Sequence, residues 1–199
     1  MSIITITTDF GLRDGYVGVM KGVIWGICPD AKIVDITHLI PPQDVHQGGI
    51  ALQRIVPYFP ENTLHVAVVD PGVGTNRKPI AVKIGARIFV GPDNGLFSRV
   101  IQSGITAGED VISIELDQPK YWLSEISHVF HGRDIFAPVA AHLATGIAFD
   151  EIGTPFSNPI ILELPEPNLL ENRIDGEVIS IDNFGNLATN IMDTHLEKY

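Results

Sequence analysis

The sequence predicts an α/β protein: a mostly parallel sheet flanked by helices, followed by the start of a β-rich domain. Three observations carry this expectation. Short β-branched runs alternate with longer segments whose apolar residues recur at helical spacing, the pattern of a parallel sheet with helices on both faces. Two of the runs end in an aspartate, Asp9 and Asp70. A cluster of prolines (Pro155, Pro159, Pro165 and Pro167) then marks a connection, after which polar–apolar alternation returns in 176–181.

Taken in order, Ile3 to Thr8 reads as a buried strand because every residue is β-branched. Gly11 to Gly15 makes a turn, and Tyr16 to Ile27 places Val17, Met20, Val23, Ile24 and Ile27 on one helical stripe. Gly18, Gly22 and Gly26 lie four apart in that helix, and close helix-to-sheet packing is the expected use for them. Lys32 to Ile36 is a second strand; Pro41-Pro42 breaks the chain, and Asp44 is placed to cap a helix from about Val45 to Val56. Leu64 to Val69 is a third strand. Ile80 to Ile84 and Arg87 to Val90 read as two strands meeting at Gly85, followed by a short helix at Leu96 to Ile101. Val111 to Leu116 is a further strand and Ile135 to Thr145 a helix. The expected organisation is an N-terminal α/β domain over 1–156, a linker over 157–173 and the beginning of a C-terminal β domain over 174–199. A lone strand pair is marginal by itself, so the expectation is that the chain is truncated within that domain or that its strands lean on another surface.

Composition limits the function. The chain has 199 residues, 45% hydrophobic and 19% charged, which fits a packed globular protein and not a disordered one. Its formal net charge is −11, which argues against nucleic-acid binding, because phosphate contacts need a basic face. The acidic balance fits a cationic small molecule better. Cys28 is the sole cysteine, so neither an intrachain disulfide nor a cysteine zinc cluster is expected. The N-terminal residues lack the basic region of a signal peptide, and no apolar stretch approaches the ~18 residues of a membrane span. A cytoplasmic protein without membrane contact is the expectation.

Four stretches hold candidate chemistry. Asp9 and Asp70 sit past strand ends, where open α/β sheets bind ligands; both are equally able to cap a turn. In Asp70-Pro-Gly-Val-Gly-Thr-Asn-Arg77, the arginine can fold back on the aspartate and fix its carboxylate. The two glycines let backbone approach a ligand, but the Gly-Lys-[Ser/Thr] ending of a P-loop is missing. His128-Val-Phe-His-Gly-Arg-Asp134 admits three readings: a metal site, a buried structural histidine, or a histidine at a reaction centre. Asp182-Asn-Phe-Gly-Asn186 is either an ordinary hairpin turn or a base-stacking phenylalanine with hydrogen-bonding neighbours.

At these residues the chain resembles the S-adenosylmethionine (SAM) hydroxide adenosyltransferases, adenosine-forming SAM hydrolases related to the SAM-dependent fluorinase and chlorinase. The matching stretches are Thr8-Asp-Phe-Gly11 with Asp14, Ile27-Cys-Pro-Asp30, Val69-Asp-Pro-Gly-Val-Gly74 with Arg77, Gly91-Pro-Asp-Asn-Gly-Leu96, Phe130-His-Gly-Arg-Asp134, Ala141-His-Leu143 and Asp182-Asn-Phe-Gly-Asn186. They run in the family's order over essentially the whole chain. The resemblance implies hydrolysis of SAM to adenosine and methionine by water attack at ribose C5′, with no cofactor and no metal. It implies an Asp-Arg-His triad on Asp70, Arg77 and His131, with either Asp70 or His131 as the base. It also implies that Asp9 grips the ribose, Phe130 lines the pocket, Asp182 meets the methionine end, and Phe184 and Asn186 lie nearer the adenine. A homotrimer with active sites between subunits follows from the same source. Two alternatives stand beside it. A halogenase is disfavoured because those relatives carry an uncharged residue where Asp70 stands and an insertion where Ile84-Gly-Ala-Arg87 joins two strands directly. A SAM or adenosine sensor without turnover has no need of a proton acceptor near C5′.

Overall fold

The computed structural model describes residues 2–197 and divides into two compact units, one up to Ile161 and one from Leu162. The first unit is built on a seven-stranded sheet in the order β2-β1-β3-β5-β4-β6-β7. Its strands are β1 (Ile3–Thr8), β2 (Lys32–Thr37), β3 (Leu64–Val68), β4 (Pro79–Ile84), β5 (Arg87–Pro92), β6 (Val111–Glu115) and β7 (Thr154–Pro155). β1 pairs in parallel with β2 and β3, and β3 with β5, whereas β4 and β7 run against the other strands. The mostly parallel sheet read from the sequence is therefore present, with β4 turned back as one arm of a hairpin with β5.

Helices α1 (Tyr16–Ile27) and α2 (Val45–Ile55) connect β1 to β2 and β2 to β3, and α3 (Ser98–Thr106) and α4 (Ala137–Ala144) follow later in the chain. One face of the sheet packs Ile4, Ile6, Val66 and Val68 against Met20 and Ile24 of α1 and Val139, Ala140 and Leu143 of α4. The other packs Ala67, Val82 and Phe89 against Leu52 of α2 and Val100 and Ile101 of α3. β3 lies between these layers and is buried at all five residues, which is why all but His65 are apolar. Asp44 caps α2 as expected, its side chain accepting the Gln47 N–H at 2.9 Å.

Three sequence expectations change. Gly18, Gly22 and Gly26 lie on the exposed side of α1, and a Cβ added at any of them meets nothing within 4 Å. The helix buries Val17, Met20 and Ile24 instead, and Met20 and Ile24 pack against the sheet. The helix expected from Leu96 begins at Ser98 and runs on to Thr106. The helix expected from Ile135 opens earlier, as a π-helical turn over Gly132–Phe136 that continues into α4. Such turns occur often at functional sites.

The second unit holds two short antiparallel hairpins, β8 (Asn168–Leu170) with β9 (Arg173–Asp175) and β10 (Val178–Ile181) with β11 (Leu187–Thr189), and a single helical turn, α5 (Asp193–Leu196). The first hairpin starts inside the stretch expected to be linker. Among the described residues no helix is long and apolar enough to cross a membrane.

Candidate active site

β1 is flanked by β2 on one side and β3 on the other, so the chain reverses its direction of travel across the sheet between β1 and β3. That switch point is where open α/β sheets leave a crevice beyond their carboxyl ends. Asp9 follows β1 and Asp70 follows β3, and both line a cavity of about 260 Å³ together with Phe10, Gln43, Phe130 and His131.

The reversal of β4 explains how Arg77 reaches this place. β3 ends at the crevice, and β4, running the opposite way, begins at the same end of the sheet. The 69–78 connection therefore never leaves that end, and Arg77 returns to Asp70. Arg77 Nε donates to both carboxylate oxygens at 2.9 and 3.0 Å, and Nη2 donates to Oδ2 as well. Both side chains are nearly buried, at 8% and 5% exposure, so water does little to weaken the pair. Nη2 also lies 2.9 Å from Nδ1 of His131, and the guanidinium carbon sits 5.2 Å from the centre of the Phe136 ring. Arg77 thus stands behind Asp70 and His131, touching both.

A guanidinium is donor-only, so His131 Nδ1 must accept, and the neutral ring carries its proton on Nε2. The backbone of Ser127 is a further hydrogen-bond partner of the ring. Burial, and then the charge of Arg77, push the His131 pKa below its ordinary value, against the opposing pull of Asp70, Asp134 and Ser127. His131 is a neutral side chain with both nitrogens engaged.

The segment carrying His131 is pinned by Asp134, which is fully buried. Its Oδ2 accepts the Ser127 N–H at 2.8 Å and its Oδ1 accepts Arg133 Nε at 2.5 Å. Burial opposes ionisation of this carboxyl, but the hydrogen bonds from Arg133 and Ser127 outweigh it and hold its pKa below the usual range. Phe130 packs edge-on to Tyr16 and Phe10, with ring centres 5.0 and 5.8 Å apart. Gly74, at φ +76°, passes so close to the segment that a Cβ would strike the carbonyl oxygen of His128. This glycine serves contact between two loops, where the sequence reading had assigned it to a ligand. His128 itself is exposed, and among the described residues no three His, Cys, Asp or Glu side chains converge as a metal cage.

Asp9 is fixed from a direction the sequence did not disclose. Its Oδ2 accepts the backbone N–H of Gln43 at 2.7 Å, and Gln43 holds a left-handed φ of 65°. The Pro41-Pro42 pair before it was the only local hint of an unusual turn.

Asp182, Phe184 and Asn186 lie in the second unit, in the turn between β10 and β11. Asp182 Oδ1 accepts the N–H groups of Phe184 and Asn186 at 2.9 and 2.8 Å, and Oδ2 accepts Asn186 Nδ2 at 2.7 Å. The bonds from Asn186 are the main reason its carboxyl sits below the usual range. Phe184 projects from this turn, 92% exposed.

Comparison with known proteins matches residues 4–153 to the family model described as the SAM hydroxide adenosyltransferase N-terminal domain. The chain is 43% identical over 187 residues to an (R)-S-adenosyl-L-methionine hydrolase of Salinispora arenicola, covering 92% of this chain and 70% of that protein. A fluorinase of Nocardia brasiliensis is more distant, 31% identical over 226 residues, covering 98% and 73%. The crystal structure of an uncharacterized conserved protein from Thermotoga maritima superimposes with a TM-score of 0.91 at 39% identity, covering 98% of this chain and 74% of that one.

Proposed function

The chain belongs to the SAM hydroxide adenosyltransferase family, and on that premise we propose that it hydrolyses SAM to adenosine and L-methionine by attack of water on ribose C5′. The relatives' name points to the (R) form of the sulfonium centre as substrate. The observation that carries the reading is Asp70, which lines the crevice with its carboxylate gripped by Arg77.

The substrate sulfonium is a cation whose methionine leaves as a neutral thioether. No general acid is needed, and neither a metal nor a cofactor is required to activate the leaving group. The nucleophile has the harder task, since water must lose a proton as its oxygen bonds to C5′ and the carbon–sulfur bond breaks. Asp70 is the acceptor we assign. His131 Nδ1 is turned to Arg77 and the ring is already protonated on Nε2, so His131 acts by holding Arg77 in place. Arg77 fixes the direction of the Asp70 carboxylate, and the apolar wall of Phe130 and Phe10 reduces water around the reacting charges. Asp9 grips the ribose hydroxyls and sets C5′ in line with the water.

The cavity of about 260 Å³ falls short of the usual ~300–1,000 Å³ of ligand pockets. Val129, which lines it, is an apolar side chain left 78% exposed. These features fit a site completed by a neighbouring copy, and from the family resemblance we take the assembly to be a homotrimer, with Asp182 at the methionine end and Phe184 and Asn186 at the adenine.

The test is incubation with (R)-SAM and, separately, (S)-SAM in oxygen-18 water, with and without EDTA. We expect adenosine labelled at C5′ together with methionine, faster from (R)-SAM and unaffected by EDTA. Asp70→Asn should lower kcat by roughly 10²–10⁴-fold, the range for a general base. Unlabelled adenosine, or full turnover by Asp70→Asn, would overturn the mechanism; SAM bound but left intact would make the protein a sensor.

A further inference from the structure

We propose that His38, which does not line the crevice, is the positioning residue for Asp9: it locks the turn after β1 so that the Asp9 carboxylate has one fixed direction. The proposal rests on the reading of Asp9 as the ribose-binding group.

Every neighbour of Asp9 in that turn is tied to His38. The ring Nδ1 lies 2.9 Å from Thr8 Oγ1, and that same oxygen accepts the Phe10 N–H at 3.2 Å. The His38 carbonyl accepts the Gly11 N–H at 2.8 Å, a contact made possible by the left-handed φ of 70° at Gly11. Residues 8, 10 and 11 are thus held, directly or through Thr8, by one side chain and its own carbonyl. Asp9 is the remaining member, and its Oδ2 is taken by Gln43 in the same 38–43 segment. That leaves Oδ1 as the carboxylate oxygen without a hydrogen-bond partner among the described residues.

His38 is only 3% exposed, and its Nε2 lies 3.0 Å from Asp35 Oδ1, bent from the ideal line, while Asp35 Oδ2 is paired with Lys21 Nζ at 2.5 Å. An ionised carboxylate only accepts, so Nε2 carries the proton facing it. Nδ1 and the Thr8 hydroxyl share one hydrogen bond, and the Thr8 oxygen also accepts the Phe10 N–H. Burial opposes ionisation of Asp35, but Lys21 and His38 outweigh it and keep the carboxyl ionised. The turn presents Asp9 and Phe10 to the crevice, and of the two it is the Asp9 carboxylate, tied to Gln43 as well, whose direction the network sets.

Turnover of (R)-SAM and calorimetric binding of adenosine are measured together for wild type, His38→Ala, His38→Asn, Asp9→Ala and the His38→Ala/Asp9→Ala double variant. We expect His38→Ala to raise KM and the adenosine Kd about tenfold or more, with kcat within threefold. His38→Asn, whose side-chain amide stands in for Nδ1 beside Thr8, should restore most of the loss. In the Asp9→Ala background, His38→Ala should have no further effect, because its action runs through Asp9. Equal effects in both backgrounds, or an unchanged KM and Kd, would overturn the proposal. If His38→Ala fails to fold, Thr8→Val removes the same lock and is read the same way. Wild type that binds adenosine without hydrolysing SAM sinks the hydrolase reading while Kd still judges the lock; wild type that does neither overturns both.

Discussion

A guanidinium can only donate, and at this crevice that asymmetry fixes the states of its neighbours. Arg77 holds Asp70 as an acceptor and His131 as a ring with Nδ1 bare. The Asp70–Arg77 pair was readable in the sequence because seven residues of a glycine-containing loop allow the return. The link from Arg77 to His131, 54 residues away, was not, since local spacing says nothing about which loops meet. The resemblance named both Asp70 and His131 without deciding which takes the proton, and the proposed mechanism assigns it to Asp70. A buried histidine away from the crevice shows the same single-residue logic. His65 is fully buried, bonded to Thr5 Oγ1 at 2.8 Å and stacked on Phe89. Burial, assisted by the charge of Arg87, lowers its pKa to about 4 from an ordinary 6.5. The unfolded chain therefore binds this proton first as pH falls. The stability that depends on a neutral His65 is complete above about pH 6.5 and is lost between 6.5 and 4, by something on the order of 3 kcal/mol. Urea unfolding across that window should show the slope, and His65→Asn should flatten it; an unchanged slope would assign the effect to other groups.

At the scale of elements, the strands and the α2 cap were legible because β-branched runs and an Asp before an apolar stripe are local features. The turned-back β4 was not predicted as antiparallel, although its meeting with β5 at Gly85 was; strand direction depends on pairing partners that local pattern does not name. The glycines of α1 misled for a related reason. A four-residue spacing says that three residues share a face and leaves open which face it is, and here it is the exposed one. Gly74 carries a sharper consequence. With a positive φ and the His128 carbonyl against its missing Cβ, it lets the Asp70–Arg77 loop and the His128–His131 segment pass each other. Gly74→Ala should destabilise the protein by about 1–3 kcal/mol and also depress kcat, because both loops carry proposed catalytic groups. Thermal unfolding and steady-state kinetics check this together; a normal melting temperature with normal kcat would show that the loops yield at no cost.

At the scale of the whole molecule, the α/β fold was legible because the alternation of elements spans most of the chain, while a trimer is expected from the resemblance alone. Sedimentation equilibrium is expected to give three chain masses, and Tyr16→Glu or Val19→Glu on the exposed face of α1, at 49% and 44% exposure, tests whether that face takes part. A monomeric mass under conditions of full turnover would remove the shared site from the proposal.

The sheet has two ends with different duties. Asp9, Asp70 and Arg77 gather at the end where β1 and β3 finish and β4 begins, while the Gly85 turn between β4 and β5 lies at the opposite end. Length added at that turn is separated from the chain's own crevice by the full run of the strands. Relatives can therefore diverge there without disturbing the carboxylates, and an inserted peptide tag or fluorophore would report on this protein while leaving the geometry around Asp70 as it stands.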